Sequence, residues 1–186
     1  MNTYLITTPR LLLRQWQPSD VAPYPKLLTE EETEAMVERI KTHFDKYGFG
    51  LFAVEHKGTK EFIGYTGFMV PAFESFFTPC IEIGWRYKKE VWGQGFATEA
   101  AIACLHYGFE TLGFEKVFSF TAVINISSEK VMKRIGMAHI GYFDHPKVEK
   151  SSVLCRHVLY QITKEEFYTF SASQYIHKYG KDMGLL

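Results

Sequence analysis

Two glycines, two residues apart, stand where an apolar strand gives way to an alanine-rich helix. The segment Glu82-Ile83-Gly84-Trp85 leads, after a short connection, into Trp92-Gly93-Gln94-Gly95-Phe96-Ala97-Thr98-Glu99-Ala100. Glycine admits backbone conformations that turn peptide N–H groups outward with no side chain in front of them. A helix beginning at the same point adds partial positive charge at its N-terminus. Such a corner cradles phosphate oxygens through main-chain donors and needs no cationic side chain. The strand supplies the second chemical group, Glu82, set between Ile81 and Ile83 and two residues before Gly84. Partial desolvation raises a carboxyl pKa there, toward the range of a useful proton acceptor.

The run from Trp92 to Ala100 resembles the W-G-x-G-[FY]-A-T-E-A loop of the GCN5-related N-acetyltransferases (GNAT), more narrowly their RimJ/RimL-like branch, and the resemblance covers about residues 3–165. It implies a single domain over residues 1–186 with the acyl-CoA N-acyltransferase fold, a mixed α/β sheet with helices on both sides and a C-terminal helix and tail from 166. It also implies acetyl-CoA as co-substrate, an amine acceptor and no metal. By resemblance, the backbone of Trp92, Gly93, Gln94, Gly95, Phe96, Ala97 and Thr98 holds the pyrophosphate. Pantetheine pairs with the strand edge, and an N–H of Ile83, Gly84 or Trp85 polarises the thioester carbonyl. Many relatives protonate the leaving thiolate with a tyrosine where this chain has Met132. The branch alternative, a serine three residues after an asparagine, is matched by Asn125 and Ser128, with Asn125 on pantetheine and Ser128 protonating sulfur. Both residues serve equally well as helix caps.

Three departures and one competing motif bear on this. Relatives often carry Arg or Gln three residues before the first glycine; Glu90 stands here and should point away from phosphate. The stretch Asp20–Leu28 is shorter than the branch usually has, and Pro23 and Pro25 oppose a helix through it. With Met132 in place of the tyrosine, these leave a non-catalytic CoA-binding module as the rival to an enzyme. A dinucleotide-binding turn fits less well, because Thr98 occupies its third glycine position and the turn follows a hairpin instead of opening a βαβ unit.

Acyl transfer to an amine also needs a base. Glu82 is the first candidate, against a buried carboxylate satisfied by structural partners. His145, in the loop motif Phe143-Asp144-His145-Pro146, where it could pair with Asp144, and His157, within a strand, are its rivals. No cysteine sits in the glycine turn or beside Ser128, so direct attack in a ternary complex is expected over an acyl-enzyme. An α-amine, with a pKa of about 7.7–8.0, is about a tenth free base at neutral pH, whereas a lysine at about 10.4 is far less so. A weak base therefore suits α-amines, of a protein N-terminus or a small molecule, better than lysine side chains.

The elements that must position these groups follow from periodicity. Leu11–Trp16 predicts a first strand, ended by Pro18-Ser19-Asp20. Thr29-Glu30-Glu31-Glu32 has the form of a capping box, and Thr33, Met36, Val37, Ile40 and Phe44 continue at helical spacing. Leu51–Glu55 and Phe62–Val70 form a hairpin, and Cys80–Tyr87 the strand before the loop. Small residues from Ala97 to Leu112 mark a helix that lies close on a sheet, with Cys104 on its apolar face. Lys116–Val123 is a strand, Ser128 to Ile135 a short helix closed by Gly136, and Val153–Ile162 the last strand. The loop Pro71–Pro79, with Phe73, Phe76 and Phe77, either walls the acceptor pocket, makes a dimer contact or packs on the sheet.

Composition sets the limits. The 21 basic and 21 acidic residues cancel, which argues against a nucleic-acid or membrane surface, so an anion must be held by local geometry. Three scattered cysteines give no disulfide framework, and seven histidines show no H-x-x-x-H pair. With no signal-like or membrane-length apolar run, a cytoplasmic protein is expected, as monomer or homodimer.

Overall fold

The computed structural model describes residues 4–20 and 30–174. Among them are eight strands and four α-helices: β1 (Tyr4–Thr7), β2 (Leu11–Arg14), α1 (Glu30–Tyr47), β3 (Leu51–His56), β4 (Phe62–Met69), β5 (Glu82–Tyr87), α2 (Phe96–Glu110), β6 (Lys116–Ala122), α3 (Ile126–Arg134), β7 (Ala138–Asp144), β8 (Arg156–Thr163) and α4 (Lys164–Gln174). The mixed α/β sheet is the fold the sequence implies. Pro23, Pro25, Leu28 and the capping residue Thr29 lie outside the described residues.

Two strands escape the sequence pattern. β1 has only four residues, too few for an alternation to register. β7 is an edge strand in which Phe143 alone is buried, and Gly141 sits at a register shift against β8. Its exposed residues carry no apolar period, so the stretch reads as loop. Three boundaries also move. β2 stops at Arg14, β5 starts at Glu82 and β8 starts at Arg156, two to three residues inside the expected spans.

The chain divides into two compact units, one built on the residues up to Met69 with Gly84–Cys104, the other on Val70–Ile83 with the chain from Leu105. In the first, the strand order is β1-β2-β3-β4-β5. Trp16, Val37, Ile40, Leu51, Ala53 and Phe62 form one buried cluster in it, and the Trp16 indole N–H donates to Leu51 O at 2.8 Å. The same unit holds a buried ionic cluster. Arg14, only 3% exposed, donates from Nη1 and Nη2 to the two Asp20 carboxylate oxygens at 2.7 and 2.9 Å, and from Nε to Glu55 at 3.0 Å. Asp20, then Glu55, raises the Arg14 pKa against the cost of burial. A buried charge persists only when its donors are met in this way.

In the second unit the order is β5-β6-β8-β7. β6 and β8 pair antiparallel from Lys116↔Thr163 to Ala122↔His157. β5 and β6 pair in parallel, with Glu82 opposite Phe118. Parallel neighbours need a crossover, and α2 supplies it. The glycine loop thus does open a βαβ unit, contrary to the sequence expectation; the argument against a dinucleotide turn rests on Thr98 alone. Phe77, Phe143 and Leu159 form one buried cluster of this unit, with Phe73, Phe118 and Phe120 against them. No helix among the described residues is long and apolar enough to cross a membrane.

The hairpin of β3 and β4 depends on close backbone approach at Gly67, paired with Leu51. A Cβ there would stand 2.2 Å from Gly50 O and 2.9 Å from the Leu51 Cα, main-chain atoms that cannot step aside. Gly67→Ala is expected to destabilise the protein by about 1–3 kcal/mol in urea unfolding; an unshifted midpoint would refute the close approach.

Candidate functional site

The glycine loop is shaped from both ends. After β5, a single 3-10 turn over Lys89–Val91 is closed by Trp92, whose backbone N–H donates to Lys89 O at 3.2 Å and whose indole N–H donates to Tyr87 O at 3.0 Å. Gly93 and Gly95 follow with φ of +77° and +82°, the left-handed region that glycine occupies without strain. Gln94 lies between them, and such an arrangement fans successive N–H groups toward one side. A Cβ on Gly93 would meet nothing within 4 Å, so the space before the loop is open. Phe96 and Thr98 are buried and anchor α2, whereas Trp92, Gly93, Gln94 and Gly95 are exposed. Glu90 is exposed too, and its carbonyl, not its carboxylate, takes the Gln94 amide at 3.4 Å.

A group the sequence reading did not single out holds this shape. Glu99, in the first turn of α2 and only 4% exposed, accepts from the Thr8 hydroxyl at 2.6 Å, the Arg10 backbone N–H at 3.0 Å and Arg10 Nε at 2.6 Å. The Arg10 Nη1 then donates to Gln94 O at 2.9 Å, and its guanidinium lies 4.4 Å from the centre of the Phe96 ring. The one available signal was Glu99 itself. An acid among the small packed residues of α2 must find partners, though nothing in the spacing points to Thr8 and Arg10.

Along β5, Glu82 keeps some surface open to solvent yet is packed round by protein. Desolvation pushes its pKa from an ordinary 4.5 to about 8. Burial, then Glu82, raises the neighbouring Cys80 thiol to about 12, which leaves it a poor nucleophile. The β5–β6 register holds a single pair at Glu82, and the next carbonyl, Ile83 O, is taken by the buried Ser119 hydroxyl at 2.9 Å. Gly84 and Trp85 continue the strand toward the loop and are half-buried.

The remaining candidates fall in the second unit. Asn125 caps α3: its side-chain oxygen accepts from the Ser128 N–H at 3.2 Å and its amide donates to Thr121 at 3.0 Å. Ser128 is half-buried one turn into the helix, and Met132 is core. Asp144 does not pair with His145. It ends β7 and binds Arg156 at 3.1 Å, because a charged partner directly across the β7–β8 ladder outcompetes an imidazole in the following turn. His145 Nδ1 instead accepts from the Lys147 N–H at 3.2 Å. Desolvation, then His157, lowers its pKa. His157 Nδ1 bonds Cys155 O at 3.0 Å, a strand histidine with a structural partner. In the loop after β4, Phe73 and Phe77 pack against Phe120 and Phe143, and Phe76 is 74% exposed.

With this geometry established, comparison with known proteins is specific. Residues 10–138 match the family model described as an acetyltransferase (GNAT) domain. The chain is similar to the uncharacterized N-acetyltransferase YnaD of Bacillus subtilis, 33% identical over 153 residues that cover 74% of this chain and 85% of that protein. It is also similar to the FsC-acetyl coenzyme A-N(2)-transacetylase of Aspergillus fumigatus, 35% identical over 130 residues, 64% of this chain and about half (52%) of the fungal protein. Among solved structures, a GNAT-family acetyltransferase from Bacillus anthracis superposes with a TM-score of 0.69 at 26% identity, covering 89% of this chain and 100% of that one. Mycobacterium smegmatis RimJ, solved in complex with CoA-disulfide, does so with 0.67 at 17% identity over 89% and 88%, which is a likeness of fold.

The raised pKa of Glu82 has a consequence for stability. Between 4.5 and about 8 the native carboxyl holds a proton that the unfolded chain has released. The stabilisation that Glu82 contributes is therefore complete below 4.5 and lost as pH rises to about 8. Wild type should lose stability relative to Glu82→Gln between pH 5 and 8, measured by urea unfolding across pH. A pH-independent difference would place the Glu82 pKa in the ordinary range.

Proposed function

We propose that this chain, which belongs to the acetyltransferase (GNAT) domain family, transfers an acetyl group from acetyl-CoA to a primary amine by direct attack in a ternary complex. The observation that carries this reading is the exposed loop with left-handed glycines at 93 and 95, opening α2 directly downstream of a strand that holds Glu82 near neutrality. The loop suits a diphosphate: its main-chain N–H groups run from Gly93 to Thr98 into a helix N-terminus, the Trp92 N–H being taken by Lys89 O, and at Gly93 no atom occupies the approach. Ile83, Gly84 and Trp85 are the strand residues assigned to pantetheine and the thioester carbonyl, and Asn125 and Ser128 keep the roles that the family resemblance gives them. When bound, acetyl-CoA supplies the activated acyl carbon.

Glu82 is assigned as the base. It accepts the proton that the amine nitrogen sheds as the N–C bond forms and the C–S bond breaks, and Ser128 donates to the departing sulfur. A carboxyl of pKa about 8 is about one-tenth ionised at pH 7, adequate for an amine already partly unprotonated. This favours α-amines or small amines over lysine side chains. The competing reading, a CoA-binding module without turnover, draws on the burial of Met132, which offers no acid to the thiolate. Release of free thiol across a panel of amines separates the two.

Two experiments test the assignment. Gly93→Asp places a carboxylate in open space before the loop, and Asp tolerates the left-handed backbone better than most residues. It should abolish acetyl-CoA binding in calorimetry while Gly93→Asn retains part of it; equal affinities for the two variants would remove the phosphate assignment. For the base, kcat/KM of the wild type should rise toward a plateau above pH 8. In Glu82→Gln it should be lower and rise less steeply, with acetyl-CoA affinity unchanged. Identical pH profiles would transfer the role to another group.

A further inference from the structure

Arg10 touches the loop at three points in succession. Its Nε donates to Glu99 Oε2 at 2.6 Å, its Nη1 donates to Gln94 O at 2.9 Å, and its guanidinium carbon lies 4.4 Å from the centre of the Phe96 ring. A Cβ built on Gly95 would come to 3.5 Å from Nη2. The Arg10 main chain is fixed as well, its N–H by Glu99 Oε1 at 3.0 Å and its carbonyl by the Lys57 N–H at 2.9 Å. A planar guanidinium bound at this many points has one orientation.

The consequence falls on the peptide between Gln94 and Gly95. In a trans peptide the carbonyl and the N–H point in opposite directions, and among the described residues only Thr78-Pro79 is cis. With Gln94 O drawn onto Arg10, the Gly95 N–H is directed away from Arg10, out of the loop. Glycine at 95, on the N–H side of this peptide, otherwise makes its rotation cheap, and a reversed peptide would present a carbonyl oxygen to an anion. We propose that Arg10 is a positioning residue for the diphosphate of acetyl-CoA: through the Gln94 carbonyl it keeps the Gly95 N–H aimed at phosphate oxygen. The side chain is 43% exposed, but its charge is matched by Glu99, so it acts by holding a peptide plane and not as a free cation. This inference rests on the function proposed above.

The test uses CoA as the probe. In the unmodified protein, the Gly95 amide proton should move downfield at saturating CoA in heteronuclear NMR. Arg10→Ala and Arg10→Lys should both weaken CoA by about tenfold or more in calorimetry, the scale of one lost hydrogen bond to a charged group. In Arg10→Lys the Gly95 response should vanish while the Ile83, Gly84 and Trp85 amides still respond. Three results would overturn the inference: wild-type affinity in Arg10→Lys, which would make charge sufficient; an unmoved Gly95 amide in the wild type; or equal loss of every amide response in Arg10→Lys. If the alanine variant does not fold, the wild-type spectrum and the lysine variant decide. Absence of any CoA binding to the wild type would instead bring down the proposed function itself, a result that needs no variant.

Discussion

Main-chain N–H groups bind an anion well only if the backbone that carries them is already in place, since a loop rich in glycine otherwise loses much conformational freedom on binding. In this protein the loop proposed to bind the anion is held by a buried carboxylate. Glu99 satisfies its oxygens with three donors from Thr8 and Arg10, and those partners come from the turn between β1 and β2, some ninety positions earlier in the chain. The loop is therefore tied to the strand framework by contacts in which each charge is matched. As proposed, it would bind an anion with no net positive charge of its own, in keeping with a chain whose basic and acidic residues are equal in number.

The same physical effect acts with opposite results on the ionisable groups around β5 and in the first unit. Burial with no counter-charge among the described residues lifts Glu82 to about 8, and burial, then Glu82, lifts Cys80 to about 12. Burial with partners leaves Arg14 firmly charged, because Asp20 and Glu55 offset what desolvation costs. A carboxyl that lacks a counter-charge exchanges its proton near neutral pH, whereas one that has found its counter-charge is structural. Glu55 and Glu99 differ from Glu82 in geometry, each bonded to an arginine, Arg14 and Arg10.

What the sequence made legible follows from range. The glycine loop, the helix after it, the β3–β4 hairpin and the strand bearing Glu82 are encoded by residues within about a dozen positions of each other, and each was found near its observed place. The elements missed were those whose identity depends on a distant partner. β7 becomes a strand because β8 pairs with it, not because Ala138–Asp144 alternates. Asp144 finds Arg156 across that ladder, a choice invisible while the segment was read as loop. The Thr8–Arg10–Glu99 network lies at the far end of the same difficulty. Its motif residue was in view, and its partners were not.

The two glycines of the loop also prove to be unlike, although the sequence treats them alike. Both need the left-handed backbone, with φ of +77° and +82°. At Gly93 nothing surrounds the missing side chain, so glycine there keeps the approach clear. At Gly95 the nearest neighbour is the Arg10 guanidinium, so glycine there also lets the arginine lie close to the backbone it orients. One position faces open space and the other faces the scaffold. The peptide that joins Gln94 to Gly95 carries both roles of the proposed loop, its carbonyl turned to Arg10 and its N–H to the other side, and glycine at 95 leaves room for the guanidinium beside it.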